Sequence, residues 1–372
     1  MSLFSRKQTS PRGTLLLDIG SSRVIGARVT HPADNLPVIL HTAREAIVFQ
    51  DSFEPKRYLK SATKSLRTSA ESLVRLGLPP PDRIIATISP LLAVSSAKTI
   101  TRENLDSTIV TKKLIDSLLE EAKKLFVIEQ KRGIVLEATL DDVRINGYRV
   151  QYPLGKRADT ISGTVFVSLI DQQTDEALRA ALEPVFHERP VLFHTFPFAA
   201  TTAIRHAMNL ENFRYLEWGG EVAEMVSVYD GAIRCVESAP LGGNHLIRAI
   251  GRELALSPGL AKTKLERLAV DWDKDILRNS DRPIAHVKKS LHNFLTKREG
   301  VPDLSRIPLL VLADPVLRTL FASMQANQSL GFDVRFLTSE AMSTFCRHNG
   351  DATRDPYIML ASIFSGIMKA RQ

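Results

Sequence analysis

Apolar and polar residues along this chain follow two periods, one typical of strands and one typical of helices. An apolar run at 14–18, a turn containing glycine and serine, and a second run at 23–29 predict a β-hairpin near the start. Apolar residues at helical spacing over 58–76 predict an amphipathic helix, which the sequence LPPPD ends. Strand and helix patterns keep alternating to the end of the chain, which predicts an α/β protein.

The remaining elements follow from the same patterns. We expect further strands at 38–41, 83–88, 95–100, 134–138, 142–145, 164–170, 214–218, 222–229, 232–237, 307–312 and 334–337. We expect further helices at 112–127, 174–186, 198–208, 245–254, 257–268, 282–297, 315–327 and 356–368. The dipeptides Asn146–Gly147 and Asp230–Gly231 stand between alternating segments and predict tight hairpin turns.

The stretch 95–163 has a pattern of its own. It contains a strand, one amphipathic helix and further short strands, and this order predicts a small α+β unit inserted into a larger domain. The whole chain has 372 residues, whereas single cores stop growing at about 250–300 residues. We therefore expect at least two lobes in addition to the inserted unit.

One local pattern occurs in both halves of the chain. A strand ends in an acidic residue, an intervening residue and glycine, and then a turn leads into a returning strand; the two sequences are LLLDIGSS and RYLEWGGE. Two α/β lobes that each begin with such a hairpin form a twofold arrangement with a cleft between them. We expect the two turns to face each other across this cleft.

The two turns are candidate phosphate-binding loops. Backbone N–H groups exposed in a turn form an anion-binding concavity, and two facing turns can hold a polyphosphate from both sides. The residues proposed for this role are Asp18, Gly20, Ser21, Ser22, Gly219 and Gly220. A carboxylate at the position of Asp18 can hold the hydration shell of Mg²⁺. Each turn alone is more typical of an ordinary tight hairpin, so the hypothesis depends on the matching pair.

Charge adds a weaker indication about partners. The 49 Lys and Arg residues exceed the 41 Asp and Glu residues, which gives a formal net charge of +8 and a sequence pI of about 9.5. A positive protein favours polyanionic partners, either nucleic acid or an anionic membrane surface. The bases are spread along helix faces with acids close by in sequence, so solvated helix faces are the leading interpretation. A membrane-surface role comes next, and no nucleic-acid motif is present.

Cysteine usage and hydropathy favour a cytoplasmic protein. Cys235 and Cys346 lie far apart, which excludes a disulfide scaffold and a CxxC site and fits a reducing compartment. No apolar run reaches the roughly 18 residues of a membrane-spanning helix. The basic N-terminal tail at 1–13 is not followed by the apolar segment of a signal peptide.

Several catalytic and nucleotide-binding motifs are missing from the sequence. It contains no GxGxxG, no GxSxG and no HExxH pattern. Gly155–Lys156 resembles the end of a P-loop, but Val150 stands where that motif has glycine and Arg157 where it has Ser or Thr. His187, His194 and His206 are close in sequence without metal-ligand spacing, so loop and helix-surface positions are expected for them.

These segments resemble the actin-like ATPase superfamily and, within it, the branch that contains FtsA and PilM. LLLDIGSSRVIGARV is similar to the first phosphate motif, and EWGGEVAEMVSVYDGAIRCVESAPLGGNHLIRAI to the second phosphate motif and the helix after it. INGYRVQYPLGKRADTISGTVFVSLID resembles the inserted subdomain, FPFAATTAIRHAM the connecting segment and DPYIMLASIFSG the closing helix. The resemblance covers most of the chain. It implies an α/β, actin-like (ribonuclease H-like) two-lobed fold with an inserted SHS2-like α+β subdomain.

The resemblance also implies a cofactor site for ATP and Mg²⁺. It adds Glu217, Gly242 and Gly243 to the residues proposed above, and it gives Asp18 the role of holding Mg²⁺ through water. No catalytic residue is assigned.

The chain departs from the family pattern around this site. Glu217 and Trp218 replace Asp-X before the paired glycines, and Glu221 follows them, where a carboxylate repels phosphate. Ala313–Asp314–Pro315 stands where a glycine-rich adenosine motif is expected, and Lys262 where an acid is expected. These departures predict a partly degenerate nucleotide site and weak or absent ATPase activity. On a strand, Trp218 would face away from Glu217 into the core.

The implied domain organisation has five parts. They are a basic N-terminal tail at 1–13, the start of the first lobe at 14–94, the inserted subdomain at 95–163, the rest of the first lobe with a connecting helix at 164–210, and the second lobe at 211–372 with a helical insertion at about 255–305.

The functional expectation is a PilM-like cytoplasmic scaffold of a type IV pilus assembly platform, peripheral to the inner face of the membrane. Resemblance implies that it binds the cytoplasmic tail of a PilN-like single-pass membrane protein beside the inserted subdomain, near 145–150 and 164–170. The alternative is an FtsA-like cell-division membrane adaptor that binds ATP and polymerises, and self-association stays open. Only residues 369–372 follow the closing helix, so no amphipathic membrane anchor of the FtsA type is expected there.

Overall fold

A computed structural model describes residues 13–32, 36–131, 133–270, 286, 289–296, 307–326, 333–350 and 352–370. The predicted tail before residue 13 and parts of the predicted helix at 282–297 and of the helical insertion at 255–305 lie outside these residues. Within the described ranges, no helix combines the length and the apolar character needed to cross a membrane.

The first lobe is built on a six-stranded mixed sheet in the order β11-β4-β1-β2-β3-β17. The hairpin predicted at the start is its centre, since β1 pairs antiparallel with β2 and parallel with β4. The strands are β1 (Thr14–Ile19), β2 (Arg23–Thr30), β3 (Val38–Ala46), β4 (Arg83–Ile88), β11 (Val191–Thr195) and β17 (Arg347–His348).

The second lobe repeats this plan in a five-stranded sheet of order β14-β13-β12-β15-β16. The second hairpin is its centre: β12 pairs antiparallel with β13 and parallel with β15. Asp230 and Gly231 both have positive φ in the turn between β13 and β14, as a tight hairpin requires. The strands are β12 (Phe213–Trp218), β13 (Ala223–Tyr229), β14 (Ala232–Ala239), β15 (Leu309–Ala313) and β16 (Val334–Phe336).

Helices cover both sheets and also separate them. The helices are α1 (Pro55–Val74), α2 (Lys112–Glu129), α3 (Gln172–Phe186), α4 (Phe196–Met208), α5 (Gly243–Glu253), α6 (Pro258–Val270), α7 (289–296), α8 (Pro315–Ala326), α9 (Ser339–Met342) and α10 (Pro356–Ala370). Helices α4 and α10 pack between the sheets, α1 and α3 on the outer face of the first sheet, and α5, α6 and α8 on that of the second. Successive residues of β1 pack on opposite faces of the first sheet. Leu15 and Leu17 belong to the core under α1 and α3, whereas Leu16 belongs to the core around α4 and α10.

The inserted unit forms a separate small core. Its sheet has the order β5-β10-β7-β8, a two-stranded ribbon joins β6 and β9, and α2 covers one side through Leu118, Ala122 and Phe126. Asn146 and Gly147 have positive φ in the turn between β7 and β8. The strands are β5 (Ala93–Arg102), β6 (Thr108–Ile109), β7 (Ile134–Ile145), β8 (Tyr148–Arg149), β9 (Arg157–Ala158) and β10 (Ile161–Ile170).

Several boundaries differ from those expected from the sequence. The strands expected at 134–138 and 142–145 are one long strand, β7. The inserted sheet begins at Ala93 and its central strand β10 runs to Ile170, so the unit spans 93–170 and 164–170 belongs to it rather than to the first lobe. At the C-terminal side, β17 joins the first sheet and α10 packs on α4 between the lobes, so the second lobe does not extend to the end of the chain.

Candidate functional site between the two lobes

The two turns predicted to face each other are in direct contact. The Oγ atom of Ser21 accepts hydrogen bonds from the backbone N–H of Gly220 at 2.8 Å and of Glu221 at 3.1 Å. All three residues come from sequence-predicted positions at the ends of β1 and β12. The structure therefore brings the first and second turns together, with a serine hydroxyl between them.

Residues of the first lobe hold the first turn in place through hydrogen bonds. Asp18, at the end of β1, accepts a hydrogen bond of 2.8 Å from the hydroxyl of Thr87 on the neighbouring strand β4. Gly20 donates its N–H to the carbonyl of Arg23 at 2.9 Å and accepts from the Tyr58 hydroxyl at 2.8 Å. Burial raises the pKa of Asp18 to about 7, although the Thr87 hydroxyl lowers it.

The second turn uses the start of α5 as its partner. The N–H groups of Gly243 and Asn244 donate to the carbonyls of Gly219 and Gly220 at 3.0 and 2.8 Å. Gly242 lies so close to Gly220 that a Cβ would overlap with the Gly220 carbonyl group. The first amides of this helix, which could have bound an anion, are therefore occupied by the chain's own backbone.

Two buried carboxyl groups lie behind the second turn. Glu217 on β12 and Glu224 on β13 are direct cross-strand partners and are 5% and 2% exposed. Burial raises the pKa of Glu217 well above its ordinary value, and the charges of Asp18 and Glu224 raise it further. No described residue donates a hydrogen bond to Glu217 Oε2 or Glu224 Oε2. Because burial beside a second carboxyl group disfavours the charged form, the pKa of each of the two groups is raised.

Replacing Glu224 by glutamine is expected to make stability less sensitive to rising pH. Burial raises the pKa of Glu224 to about 8, partly offset by the Ser238 hydroxyl that donates to it at 2.8 Å. The folded state thus keeps a proton that an unfolded glutamic acid releases at about pH 4.3. The free energy of unfolding therefore falls as the pH rises through the interval from about 4 to about 8.

Denaturant unfolding across this interval measures the effect. The slope against pH should be shallower in Glu224→Gln by up to about 1.4 kcal/mol per pH unit. Ser238→Ala, which removes the donor that lowers this pKa, should extend the fall in stability to higher pH. A slope that is the same in the wild type and in Glu224→Gln would contradict the assignment.

An ion pair with a bifurcated hydrogen bond joins the lobes beside the two turns. Arg23, the first residue of β2, donates from Nη1 to both oxygens of Asp314 at 2.8 and 3.0 Å. Its guanidinium group lies 3.8 Å from Asp355 and 4.7 Å from the centre of the Tyr357 ring. Asp314 directly follows β15, at the position where the resemblance to the actin-like family predicts an adenosine motif.

A second ion pair holds Glu221. Its carboxylate pairs with Arg248 of α5 at 2.5 Å and accepts a hydrogen bond from the Asn244 amide at 2.7 Å. Arg248 also donates to the carbonyl of Gln50, in the first lobe, at 3.0 Å. The carboxylate of Glu221, which the sequence analysis expected to repel a phosphate, is thus neutralised by Arg248 within the protein.

The structure places all nine sequence-predicted site residues around one junction, and four of them, Ser22, Gly219, Gly220 and Gly243, line a common cavity there. Asp18 and Glu217 are buried behind the two turns. Ser21 and Ser22 lie against Gly219 and Gly220, where one turn meets the other. Trp218 faces away from Glu217 into the outer core, where its Nε1 donates to the carbonyl of Leu241 at 2.7 Å. The prediction that Trp218 belongs to the core is confirmed.

Sequence reasoning missed the roles of Arg23, Arg248 and Glu224. Arg23 and Asp314 are 291 positions apart, and no local pattern relates them. Glu224 was part of a predicted strand, and its place opposite Glu217 could have been obtained from the register of that hairpin. The partners of Arg248 lie in both lobes, so only the assembled fold identifies them.

A cavity of about 580 Å³ opens next to the joined turns. Ser22, Gly219 and Gly220 of the two turns contribute to its lining. The rest of the wall is largely apolar and includes Phe49, Ile247, Val316 and Leu317. Charged residues of both signs complete it: Arg23, Arg44, Lys262, Glu266 and Asp314. The described residues contain no group of three or more His, Cys, Asp or Glu side chains that could hold a metal ion.

Several hydrogen-bond donors at this junction are already engaged within the protein. The N–H groups of Gly220 and Glu221 bind Ser21, those of Gly243 and Asn244 bind backbone carbonyls, and Arg23 is paired with carboxylates.

Comparison with known proteins gives structural matches only. No family model matches the sequence, and no curated protein matches it. Among solved structures, the chain is similar to a PilM-PilN type IV pilus biogenesis complex with 15% identity and a TM-score of 0.62, covering 97% of this chain and 99% of that one. It is also similar to the ethanolamine utilization protein EutJ from Carboxydothermus hydrogenoformans, with 11% identity, coverage of 96% and 90% and a TM-score of 0.49.

These findings define the class of protein. Two lobes with repeated hairpin-centred sheets, joined across paired turns, form the actin-like ATPase fold, as the sequence resemblance predicted. Within that class, the chain matches the PilM-PilN structure over nearly the whole length of both chains. At 15% identity this likeness establishes the fold and not the activity.

Proposed function

We propose that this chain is a PilM-like scaffold of a type IV pilus assembly platform, which binds the cytoplasmic tail of a single-pass inner-membrane protein. The observation that carries the proposal is the match to the PilM-PilN complex over 97% of this chain. The inserted unit spans 93–170, about a fifth of the chain, so such coverage includes most of it. The resemblance therefore extends to the subdomain that the sequence analysis associated with partner binding.

A groove between the first lobe and the inserted unit is the best candidate surface for such a tail. A cavity of about 510 Å³ opens there, with Tyr58 and Leu59 of α1 on one side and Leu92, Val94 and Ile170 on the other. Apolar walls of this kind suit the side-chain anchors of an extended peptide. Lys56 and Asp171 are the charged residues of its lining, and they can orient a peptide by its charges.

Strand pairing argues against one of the two segments suggested by the sequence, 164–170. The other, 145–150, contains β8, which pairs only with β7 within the described sheets. The strand at 164–170 is part of β10, which is paired with β5 on one side and with β7 on the other. A strand paired on both sides cannot accept a further strand. Within the described sheets β5 pairs only with β10, and its first residues, Ala93 and Val94, line the groove. A peptide can therefore add its backbone at β5 and place side chains in the cavity.

Capture of the membrane partner tests the proposal. Affinity-tagged chain is used to recover proteins from detergent-solubilised membranes of its own cells, and mass spectrometry identifies them. We expect a single-pass inner-membrane protein of a pilus system. Val94→Asp should lower its recovery by about tenfold or more, because a charge would be placed in an apolar anchor site.

Leu154→Asp is the matched control. Leu154 is 60% exposed, compared with 43% for Val94, and it lies in the turn beside β6 and β9, at the opposite end of the inserted unit. Its substitution should leave recovery unchanged. Equal recovery by the two variants would exclude the groove, and recovery of cell-division proteins alone would favour the FtsA-like alternative.

A further inference from the structure

One corner of the inserted unit exposes large apolar side chains. Ile109 on β6 is 49% exposed, and Tyr152 and Leu154, in the turn between β8 and β9, are 76% and 60% exposed. Gly155 donates its N–H to the Val110 carbonyl at 2.9 Å, which brings this turn next to the end of β6. Exposed apolar side chains that are grouped in this way, with polar residues around them, are typical of an interaction surface.

Lysines surround the apolar side chains of this corner. Lys156 lies in the same turn as Leu154 and is exposed. Lys112 and Lys113 begin α2 directly after β6 and are exposed as well. Lys112 pairs with Asp116 at 2.7 Å, whereas Lys113 and Lys156 form no ion pair with a described residue. The corner therefore combines apolar surface with positive charge.

The charge at the start of α2 is opposite to the one that stabilises a helix. Its first turn contains two lysines and no acidic residue, whereas the positive end of the helix dipole favours acidic residues. The acids of the neighbouring ribbon, Asp106 and Asp159, lie on its other side, where the Ser107 N–H donates to Asp159 Oδ1 at 3.0 Å. Stability of the folded chain does not explain this distribution, but attraction of an external anionic surface does.

We propose that this corner is a contact site for an anionic lipid bilayer, in which Tyr152 and Leu154 enter the membrane interface and the lysines lie near lipid phosphates. A tyrosine presents an apolar ring and a polar hydroxyl, which suits the boundary between lipid and water. Each lysine near an anionic membrane surface adds to the attraction. A second copy of this chain fits less well, because a symmetric contact would bring lysines of like charge together.

The corner is distinct from the groove proposed for the partner's tail. The 18 residues of α2 begin at the corner with Lys112 and end at Glu129, and Gln130 lines the groove. A helix of this length measures about 27 Å. The membrane contact therefore goes beyond the proposed function and does not depend on it.

Sedimentation with lipid vesicles tests the contact site. We expect the purified chain to bind vesicles of phosphatidylglycerol, which is anionic, and not vesicles of phosphatidylcholine. Lys113→Glu combined with Lys156→Glu should lower partitioning onto phosphatidylglycerol about tenfold or more, because both lysines lie near the lipid charges. The matched control combines Lys60→Glu with Lys64→Glu, at exposed positions of α1: it changes the net charge equally, and its partitioning should fall much less.

Two single substitutions separate this site from the groove. Leu154→Asp should also lower partitioning onto phosphatidylglycerol, because it places a charge in the membrane interface, whereas Val94→Asp should not. This is the reverse of the pattern expected for capture of the membrane partner from detergent, so the two proposals can fail separately. Absence of binding to phosphatidylglycerol would overturn the membrane contact, as would an equal loss in the two lysine variants. Self-association that Leu154→Asp abolishes, without vesicle binding, would assign the corner to a second copy instead.

Discussion

Replacing Glu137 by alanine is expected to lower the free energy of unfolding by about 3 kcal/mol or more. Glu137 lies on β7 of the inserted unit and is 6% exposed. Its Oε1 accepts from the Thr195 N–H at 2.7 Å and lies 3.2 Å from His194 Nδ1, while its Oε2 accepts from the hydroxyls of Thr195, at 3.2 Å, and Ser168. Alanine would leave these buried donors without an acceptor.

This side chain connects two parts of the molecule. Ser168 belongs to the inserted sheet, whereas His194 and Thr195 end β11 of the first lobe, and α4 begins directly after them. A carboxylate at this place also interacts favourably with the N-terminus of α4. We therefore expect Glu137→Ala to loosen the inserted unit from the first lobe, in addition to lowering global stability.

Denaturant unfolding measures the loss, and exchange of the β7 and β11 peptides locates it. The control is Glu129→Ala, which removes an exposed carboxylate of the same unit that pairs with Lys98 at 2.6 Å. A surface pair of this kind contributes about 1 kcal/mol or less. If both variants lost the same small amount, Glu137 would not have the connecting role assigned to it.

Gly242→Ala is expected to lower the free energy of unfolding by about 3 kcal/mol, at the upper end of the usual cost of overpacking. A Cβ at this position would overlap with the carbonyl carbon and oxygen of Gly220 and would lie 2.5 Å from the Glu221 nitrogen. All of these atoms belong to the backbone, so no side-chain rotation can relieve the overlap. The second turn would have to move away from α5 and from Ser21.

The neighbouring glycine provides the control. A Cβ on Gly243 would lie 3.5 Å from the nearest atom, Leu317 Cδ1, which is an ordinary contact. Gly243→Ala should therefore stay within about 1 kcal/mol of the wild type. Urea titrations of both variants decide the matter: equal stability of the two would show that Gly242 is not packed against the second turn.

Local sequence patterns predicted most of the helices and strands, because the spacing of apolar residues shows which face of each element is buried. The hairpin β1–β2 and its counterpart β12–β13 were both predicted, and so were the two turns with positive φ at Asn146–Gly147 and Asp230–Gly231. The short edge strand β17, the ribbon of β6 and β9 and the five-residue edge strand β11 were not predicted. Strands of two residues contain no full period, so their sequences carry no such signal.

The candidate site was predicted as a set of positions but not as an arrangement. The acid-X-glycine repeat correctly identified the two turns that meet between the lobes, yet it suggested a gap where the structure has contact through Ser21. The extent of the inserted unit was also underestimated, because β10 has the same buried pattern that a strand of the first lobe would have.

By itself, the sequence determined the α/β class, the two hairpin-centred lobes and the presence of an inserted unit, since all of these follow from local periodicity and turn residues. The likeness to the actin-like family came from the resemblance of its motifs. Only the tertiary structure decided that Arg23 meets Asp314, that Arg248 bridges Glu221 and Gln50, and that Glu217 and Glu224 share one buried site. The physical reason is that charge pairing and burial depend on distances between residues far apart in the chain, which local patterns do not contain.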